Sequence, residues 1–124
     1  MYLRWKRRPL KPHRYTKQPR VLLSAMLVES RRHILDGKPR QRVVRYLGSI
    51  QDVDLHDRYA ASYCGRFWGA VAWHLDDLQV PAEQRAVIEA KVLATVPRPT
   101  REERQAANET AIHEEKLLKA RLGL

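Results

Sequence analysis

The chain of 124 residues predicts an α+β fold: a small antiparallel β-sheet in the N-terminal half packed by two helices, with a third, charged helix at the C-terminus. Three observations predict it. Residues 21–50 hold two runs rich in Val, Leu and Tyr on either side of Asp36-Gly37, a pair that tolerates the positive φ of a tight hairpin turn. From Ala60 to Leu78, apolar residues recur every three or four positions, the period of an amphipathic helix. Pro81, Pro97 and Pro99 then divide the remaining chain into two more helical segments. The length suits one domain, and the expected organisation is a basic arm over 1–20, an α+β core over 21–96 and a charged helix over 97–124.

Met1 to Arg20 carries eight Lys/Arg and three prolines, which preclude a regular helix, interleaved with Tyr2, Trp5 and Tyr15. An extended arm is expected, with a short strand at Met1 to Trp5. Its aromatics either stack on nucleic-acid bases or pin the arm to its own domain. In the hairpin, a two-residue Asp36-Gly37 loop pairs Leu35 with Lys38, His33 with Arg40, Arg31 with Arg42, Glu29 with Val44 and Leu27 with Tyr46. Side chains alternate along a strand, so Arg31, His33, Arg40 and Arg42 then share one face at the hairpin tip. Such crowding of positive charge is costly unless an anion neutralises it.

Asp54 is the expected N-cap of the first helix, with Asp57 adding negative charge at the positive end of the helix dipole. Ala60, Tyr63, Cys64, Phe67, Val71, Leu75 and Leu78 form its apolar stripe, flanked by Trp68 and Trp73, and this stripe is assigned to packing against the sheet. A second helix is expected from Ala82 to about Val96, with Ala86, Val87, Ala90, Leu93 and Ala94 turned inward and Gln84, Lys91 and Thr95 wet. Thr100 and Glu103 have capping-box spacing, and the helix they open runs to about Leu122. It offers only a thin seam of Ala107, Ala111, Leu118 and Leu122, with Glu115 and Lys119 as an i, i+4 pair. A helix of this kind projects into solvent, pairs with a protein partner or forms a homodimer.

Charge is distributed unevenly. Residues 1–50 hold fourteen Lys/Arg against Glu29 and Asp36, whereas residues 51–124 hold ten against twelve acids. The excess positive charge therefore belongs to the N-terminal part, a field that concentrates polyanions at one face. Anionic membrane and a solvated tail are the competing explanations. Nucleic acid leads because the basic residues continue past the arm into the folding segment. No apolar run approaches the ~20 residues that span a bilayer, and no secretory signal is legible, so a cytoplasmic, nucleoid-associated location is expected.

Enzymatic chemistry finds little support. A lone Cys64 next to Tyr63 and near Phe67 reads as a core residue. His13, His33, His56, His74 and His113 lack metal-ligand spacing, and His74 reads as a hydrogen-bonded core residue. Asp52, Asp54 and Asp57 sit where helix-capping acids belong, and Asp76 and Asp77 diverge by about 100° on a helix, so neither group suggests a two-metal nuclease. No phosphate-binding glycine loop, nucleophile elbow or dinucleotide fingerprint is present. The expectation is a protein that is not an enzyme, with no catalytic residue, cofactor or metal.

MYLR at Met1 to Arg4, LVESRR at Leu27 to Arg32 and DGKPRQRVVRYLGSI at Asp36 to Ile50 together resemble the N-terminal segment of bacterial insertion-sequence DDE transposases. The resemblance covers about 30 residues, and in it the spacing from Val28-Glu29-Ser30 to Leu47-Gly48 matches. The chain departs from that pattern by a basic, proline-bearing insertion from Lys6 to Arg20 and by lacking the long catalytic domain with its three spread carboxylates. The resemblance implies DNA association and a mobile-element setting, and argues against transposase activity. It carries over no catalytic residue.

The function expected is duplex DNA binding as a regulator or accessory factor of a mobile element. Arg31, Arg40, Arg42 and Arg45 on the hairpin are the expected contacts, with Arg4, Lys6, Arg7, Arg8, Lys11 and Arg14 from the arm. The alternatives are a protein-interaction module recruiting a larger partner through the C-terminal helix, or an RNA- or ribosome-associated protein.

Overall fold

A computed structural model describes residues 1–12, 14–32 and 37–123. It bears out the α+β class. Three antiparallel strands form one sheet in the order β1-β2-β3, with β1 at Tyr2–Leu10, β2 at Arg20–Arg32 and β3 at Pro39–Gln51. A short 3-10 helix at Asp52–Leu55 follows, then α1 at Ala60–Asp77, α2 at Ala82–Leu93 and α3 at Arg101–Leu122.

The N-terminal arm is the first correction. Rather than a short strand followed by loose chain, the whole of Tyr2–Leu10 pairs with β2, from Tyr2 opposite Val28 to Leu10 opposite Arg20. The cause is alternation: Leu3 and Trp5 turn into the core, and Trp5 stacks on Phe67 with ring centroids 5.8 Å apart. Pro9 is tolerated because β1 is an edge strand that needs no donor on its open side. The first third of the basic insertion, Lys6–Leu10, thus lengthens a strand, and residues 11–19 connect β1 to β2.

The β2–β3 register is the second correction. Arg31 lies opposite Arg40 rather than Arg42, Glu29 opposite Arg42 rather than Val44, and Leu27 opposite Arg45 rather than Tyr46. Described pairing ends at Arg32 opposite Pro39, and Gly37 adopts the positive φ of 65° expected of it. The expected pairs of Leu35 and His33 involve residues outside those described. Two irregularities, between Ala25 and Met26 and between Leu27 and Val28, leave Leu47 and Val44 as extra residues in β3. Both extra side chains reach the core, which a regular strand would not allow for Leu47 beside the inward Gly48.

The core lies between one sheet face and the helices. It unites Leu3, Leu23, Ala25, Leu27, Leu47 and Ile50 of the sheet with Cys64, Phe67, Trp68, Val71 and Leu75 of α1 and with Ile88, Val92 and Val96. Most of the expected α1 stripe is therefore buried, with Trp68 as a full member and Trp73 outside it, 61% exposed. The Trp68 indole N–H donates to the carbonyls of Val96 and Pro97 at 3.1 and 3.0 Å, tying the end of the α2 segment to α1. Gly48 lets β3 approach α1 closely, since a Cβ there would stand 3.3 Å from Phe67 Cδ2.

Three helical details differ from expectation. Asp54 does not cap α1, which opens at Ala60 after Tyr59 without a side-chain cap. Asp52 takes the structural role instead, accepting from the Val21 and Val53 amides at 3.0 and 2.8 Å and so joining the end of β3 to the start of β2. On α2 the buried face is Ile88 and Val92, continued by Val96, while Val87 and Leu93 are exposed. Alanine content blurred the two possible faces, and burial in the core against the sheet and α1 selected the one bearing Ile88, Val92 and Val96. His74 is also not the satisfied core residue expected, because its Nδ1 is buried with no hydrogen-bond partner among the described residues.

The capping box of α3 is present, with Thr100 Oγ1 accepting from the Glu103 amide at 3.1 Å and Glu103 accepting from the Thr100 amide. This helix docks on α1 rather than standing apart. Ala107 is buried, Asn108 accepts from Ser62 at 2.9 Å, Glu114 pairs with Arg58 at 2.7 Å and accepts from the Tyr59 hydroxyl, and the Arg104 stem occupies the space beside Gly65. Beyond Glu114 the seam residues Leu118 and Leu122 are exposed.

Candidate nucleic-acid interface

Alternation gives the sheet two faces of opposite character. Odd-numbered residues of β1 and β2 face the helices, and even-numbered residues face away. On the outer face β1 presents Arg4, Lys6 and Arg8, all exposed, separated by the ~6.6 Å that two residues span in a strand. Across the sheet the outward rows are Arg8, Leu22 and Gln51; Lys6, Ser24 and Ser49; Arg4, Met26 and Tyr46; and Tyr2, Val28 and Val43.

The centre of this face is apolar. Met26 and Val28 are buried yet stand apart from the helix-side core, while Val43 and Tyr46 are 42% and 50% exposed. A shallow groove of about 390 Å³ is lined by Arg4, Lys6, Arg7, Met26, Val43 and Tyr46 together with Trp5. The Arg4 guanidinium reaches across β2 and donates to Gln41 Oε1, and Gln41 Nε2 donates to the Tyr2 hydroxyl at 2.6 Å. This chain of contacts orders a charged side chain over the apolar rows, and leaves the guanidinium further N–H donors. Ser24 and Ser49 share a hydrogen bond of 2.8 Å beside Lys6.

The structure does not gather the ten basic residues expected at the site into one cluster. Arg4, Lys6 and Arg8 share the outer face. Arg7 is exposed but sits at a helix-side position opposite Leu23. Arg31, Arg40, Arg42 and Arg45 all occupy helix-side register positions, on the reverse of the sheet, and all but Arg45 lie where β2 and β3 run on past the end of β1. Arg42 stands 3.8 Å from Glu29, so the expected all-positive hairpin tip contains a carboxylate. Arg45 is committed to Asp77 of α1 at 2.5 Å. Lys11 and Arg14 lie in the β1–β2 connection, where the Lys11 carbonyl accepts from Arg20 at 2.7 Å and Arg14 sits 5.8 Å from the Tyr15 ring centroid. Sequence reasoning missed Gln41, Val43 and Tyr46. Their signal was the alternation continued through β1, which became readable only once residues 2–10 were known to be a strand.

The acidic residues are engaged locally. Asp57 accepts from the Tyr59 amide at 2.8 Å, Asp76 pairs with Arg85, and Asp77 pairs with Arg45. Burial pushes the Asp54 carboxyl above its ordinary range, and nearby Asp57 and Asp52 add to the rise against a backbone hydrogen bond from Gln51. Burial likewise raises the Cys64 thiol, with Asp54 contributing, so it is poorly suited to act as a nucleophile.

Fold and surface together define an α+β protein with a basic, apolar-centred outer sheet face. Residues 14–71 match the family model described as the IS1634 family transposase N-terminal domain, which bears out the resemblance read from LVESRR and DGKPRQRVVRYLGSI. The match spans β2, β3, the 3-10 helix and the first part of α1, and the likeness is to a domain of mobile-element proteins. Neither a curated protein nor a solved structure matches the chain. Among the described residues, no helix is long and apolar enough to cross a membrane.

Proposed function

We propose that this chain binds duplex DNA through the outer face of its sheet, as a non-enzymatic regulator or accessory factor of a mobile element. The observation that carries the reading is the row Arg4, Lys6 and Arg8 beside the half-exposed Val43 and Tyr46, on a protein of net charge +10. The cations supply sequence-independent attraction to phosphates, and an ordered sheet presents side chains to a groove at fixed positions. The likeness to a transposase domain supports the same partner.

Fluorescence anisotropy with labelled duplex DNA, single-stranded DNA and duplex RNA tests it. Tightest binding to duplex DNA, weakened at least tenfold by the triple variant Arg4→Ala, Lys6→Ala, Arg8→Ala, is the expected result. Equal binding of the triple variant would remove the outer face from the interface. Tighter binding of RNA would favour the ribosome-associated alternative.

A second reading has its own observation: Leu117, Leu118 and Leu122 are exposed at the end of α3. They favour a homodimer or recruitment of a protein partner through this helix. Sedimentation of the parent and of a chain ending at Glu114 distinguishes that role from a solvated helix end.

A further inference from the structure

We infer that the apolar centre of the outer face reads thymine, by contact between Val43 and Tyr46 and the C5-methyl groups that thymine displays in the major groove. The inference rests on the duplex DNA reading above and deepens it by naming what the face recognises. A surface meant only to track phosphates gains nothing from branched and aromatic groups between its cations, because apolar atoms have no favourable interaction with a phosphate oxygen. Here the outer face bears Val43 and Tyr46 at 42% and 50% exposure, seated on buried Met26 and Val28, in the groove flanked by Arg4 and Lys6.

Only one apolar group is displayed by base edges in the major groove, the thymine methyl, and contact with apolar side chains is how proteins read it. The register favours this geometry. Val43 and Tyr46 lie on β3, with Val28 and Met26 directly opposite them on β2, and Tyr2 and Arg4 beyond on β1. Lys6 therefore flanks the apolar patch on β1 while the Arg4 guanidinium reaches past it to Gln41, and both are placed to hold a phosphate backbone while β3 meets base edges. Arg4, held by Gln41, positions the patch; the methyl contact itself belongs to Val43 and Tyr46.

The test changes the DNA first, which leaves the protein fold untouched. Binding of the full chain is measured to an alternating dA·dT duplex of 20 base pairs and to the same duplex with every thymine replaced by deoxyuridine. Each well-packed methyl is worth about fourfold in affinity, the effect of burying one methylene-sized group, so at least a fourfold preference for the thymine duplex is expected. Val43→Thr, which keeps shape and strand preference but exchanges one methyl for a hydroxyl, should narrow that ratio. Circular dichroism and thermal melting establish that the variant is folded.

Equal affinity for the two duplexes overturns the inference while leaving the DNA-binding reading standing. A preference that Val43→Thr and Tyr46→Ser both leave unchanged also overturns it, since the methyl is then read elsewhere. Binding to neither duplex, nor to mixed-sequence DNA, removes the parent reading and the inference together.

Discussion

The indole of Trp5 lies against the ring of Phe67, centroids 5.8 Å apart and planes 16° from parallel. One residue belongs to the basic N-terminal segment and the other to the central helix. Their contact turns what would be a loose arm into the edge strand that carries Arg4, Lys6 and Arg8.

Trp5→Ala should therefore lower both stability and DNA affinity. Truncating a half-buried aromatic of this kind costs about 2 kcal/mol, which corresponds to a fall of roughly 6–10 °C in Tm. The affinity loss should be similar for all duplex sequences, because the change loosens the row of cations rather than removing a base contact. Differential scanning calorimetry and anisotropy on the same variant check both parts.

The salt dependence should separate the outward cations of β1 from the ion-paired Arg45. With about five phosphates neutralised, log affinity should fall against log salt with a slope of roughly −4 to −5. Alanine at Arg4, Lys6 and Arg8 together should make the slope shallower by about 2.7, at ~0.9 per lost phosphate contact. Arg45→Ala should change it by less than about 0.5, since that guanidinium is already paired with Asp77. An equal change from Arg45 would contradict the assignment of faces.

Close packing of α1 on α3 can be tested as a cycle. A Cβ at Gly65 would stand 2.4 Å from Arg104 Cδ, so alanine there must displace the arginine stem. In an Arg104→Ala background, Gly65→Ala should stabilise by about 0.8–1 kcal/mol, the helix-propensity difference between the two residues. In the parent background the gain should be smaller by at least ~0.5 kcal/mol, and urea titrations of the four proteins measure that coupling.

Asp54 sets a pH dependence of definite sign. Its folded carboxyl titrates above the ordinary value of 3.8, chiefly because burial disfavours the charge. Ionised Asp54 therefore opposes folding above its folded pKa, and the penalty disappears once pH falls below 3.8. Asp54→Asn should raise Tm at pH 7 and lose that advantage on acidification to pH 3.5. A Tm difference that is constant with pH would show that the gain is steric rather than electrostatic.

Deletion should divide α3 into two parts. Removing residues 115–124 should leave Tm within about 2 °C, because only the exposed Leu117, Leu118 and Leu122 end is lost. Removing residues 100–124 should lower Tm by several times more, since Ala107, the Ser62–Asn108 bond and the Arg58–Glu114 pair go with it.

Much of the fold was legible from local pattern. The hairpin flanks, the stripe through Phe67, Val71 and Leu75, the proline boundaries and the Thr100–Glu103 capping box depend on residues near one another in sequence, and periodicity or spacing encodes them directly. The site was only partly legible. Composition showed that the N-terminal part is the basic one, and the LVESRR and DGKPRQRVVRYLGSI segments carried the family likeness.

The sequence by itself thus determined the α+β class, the positions of most elements and the sign of the charge field. Tertiary structure decided which charges stand together. Whether residues 2–10 are arm or strand depends on Trp5 finding Phe67 some sixty positions away, and no local pattern contains that contact. Which face Arg45 occupies depends on irregularities that place Leu47 and Val44 as extra residues, and a single inserted residue reverses every side chain beyond it. The physical reason is the same in both cases. Secondary structure is set by interactions along the chain, whereas a surface is set by which side chains the core has already claimed.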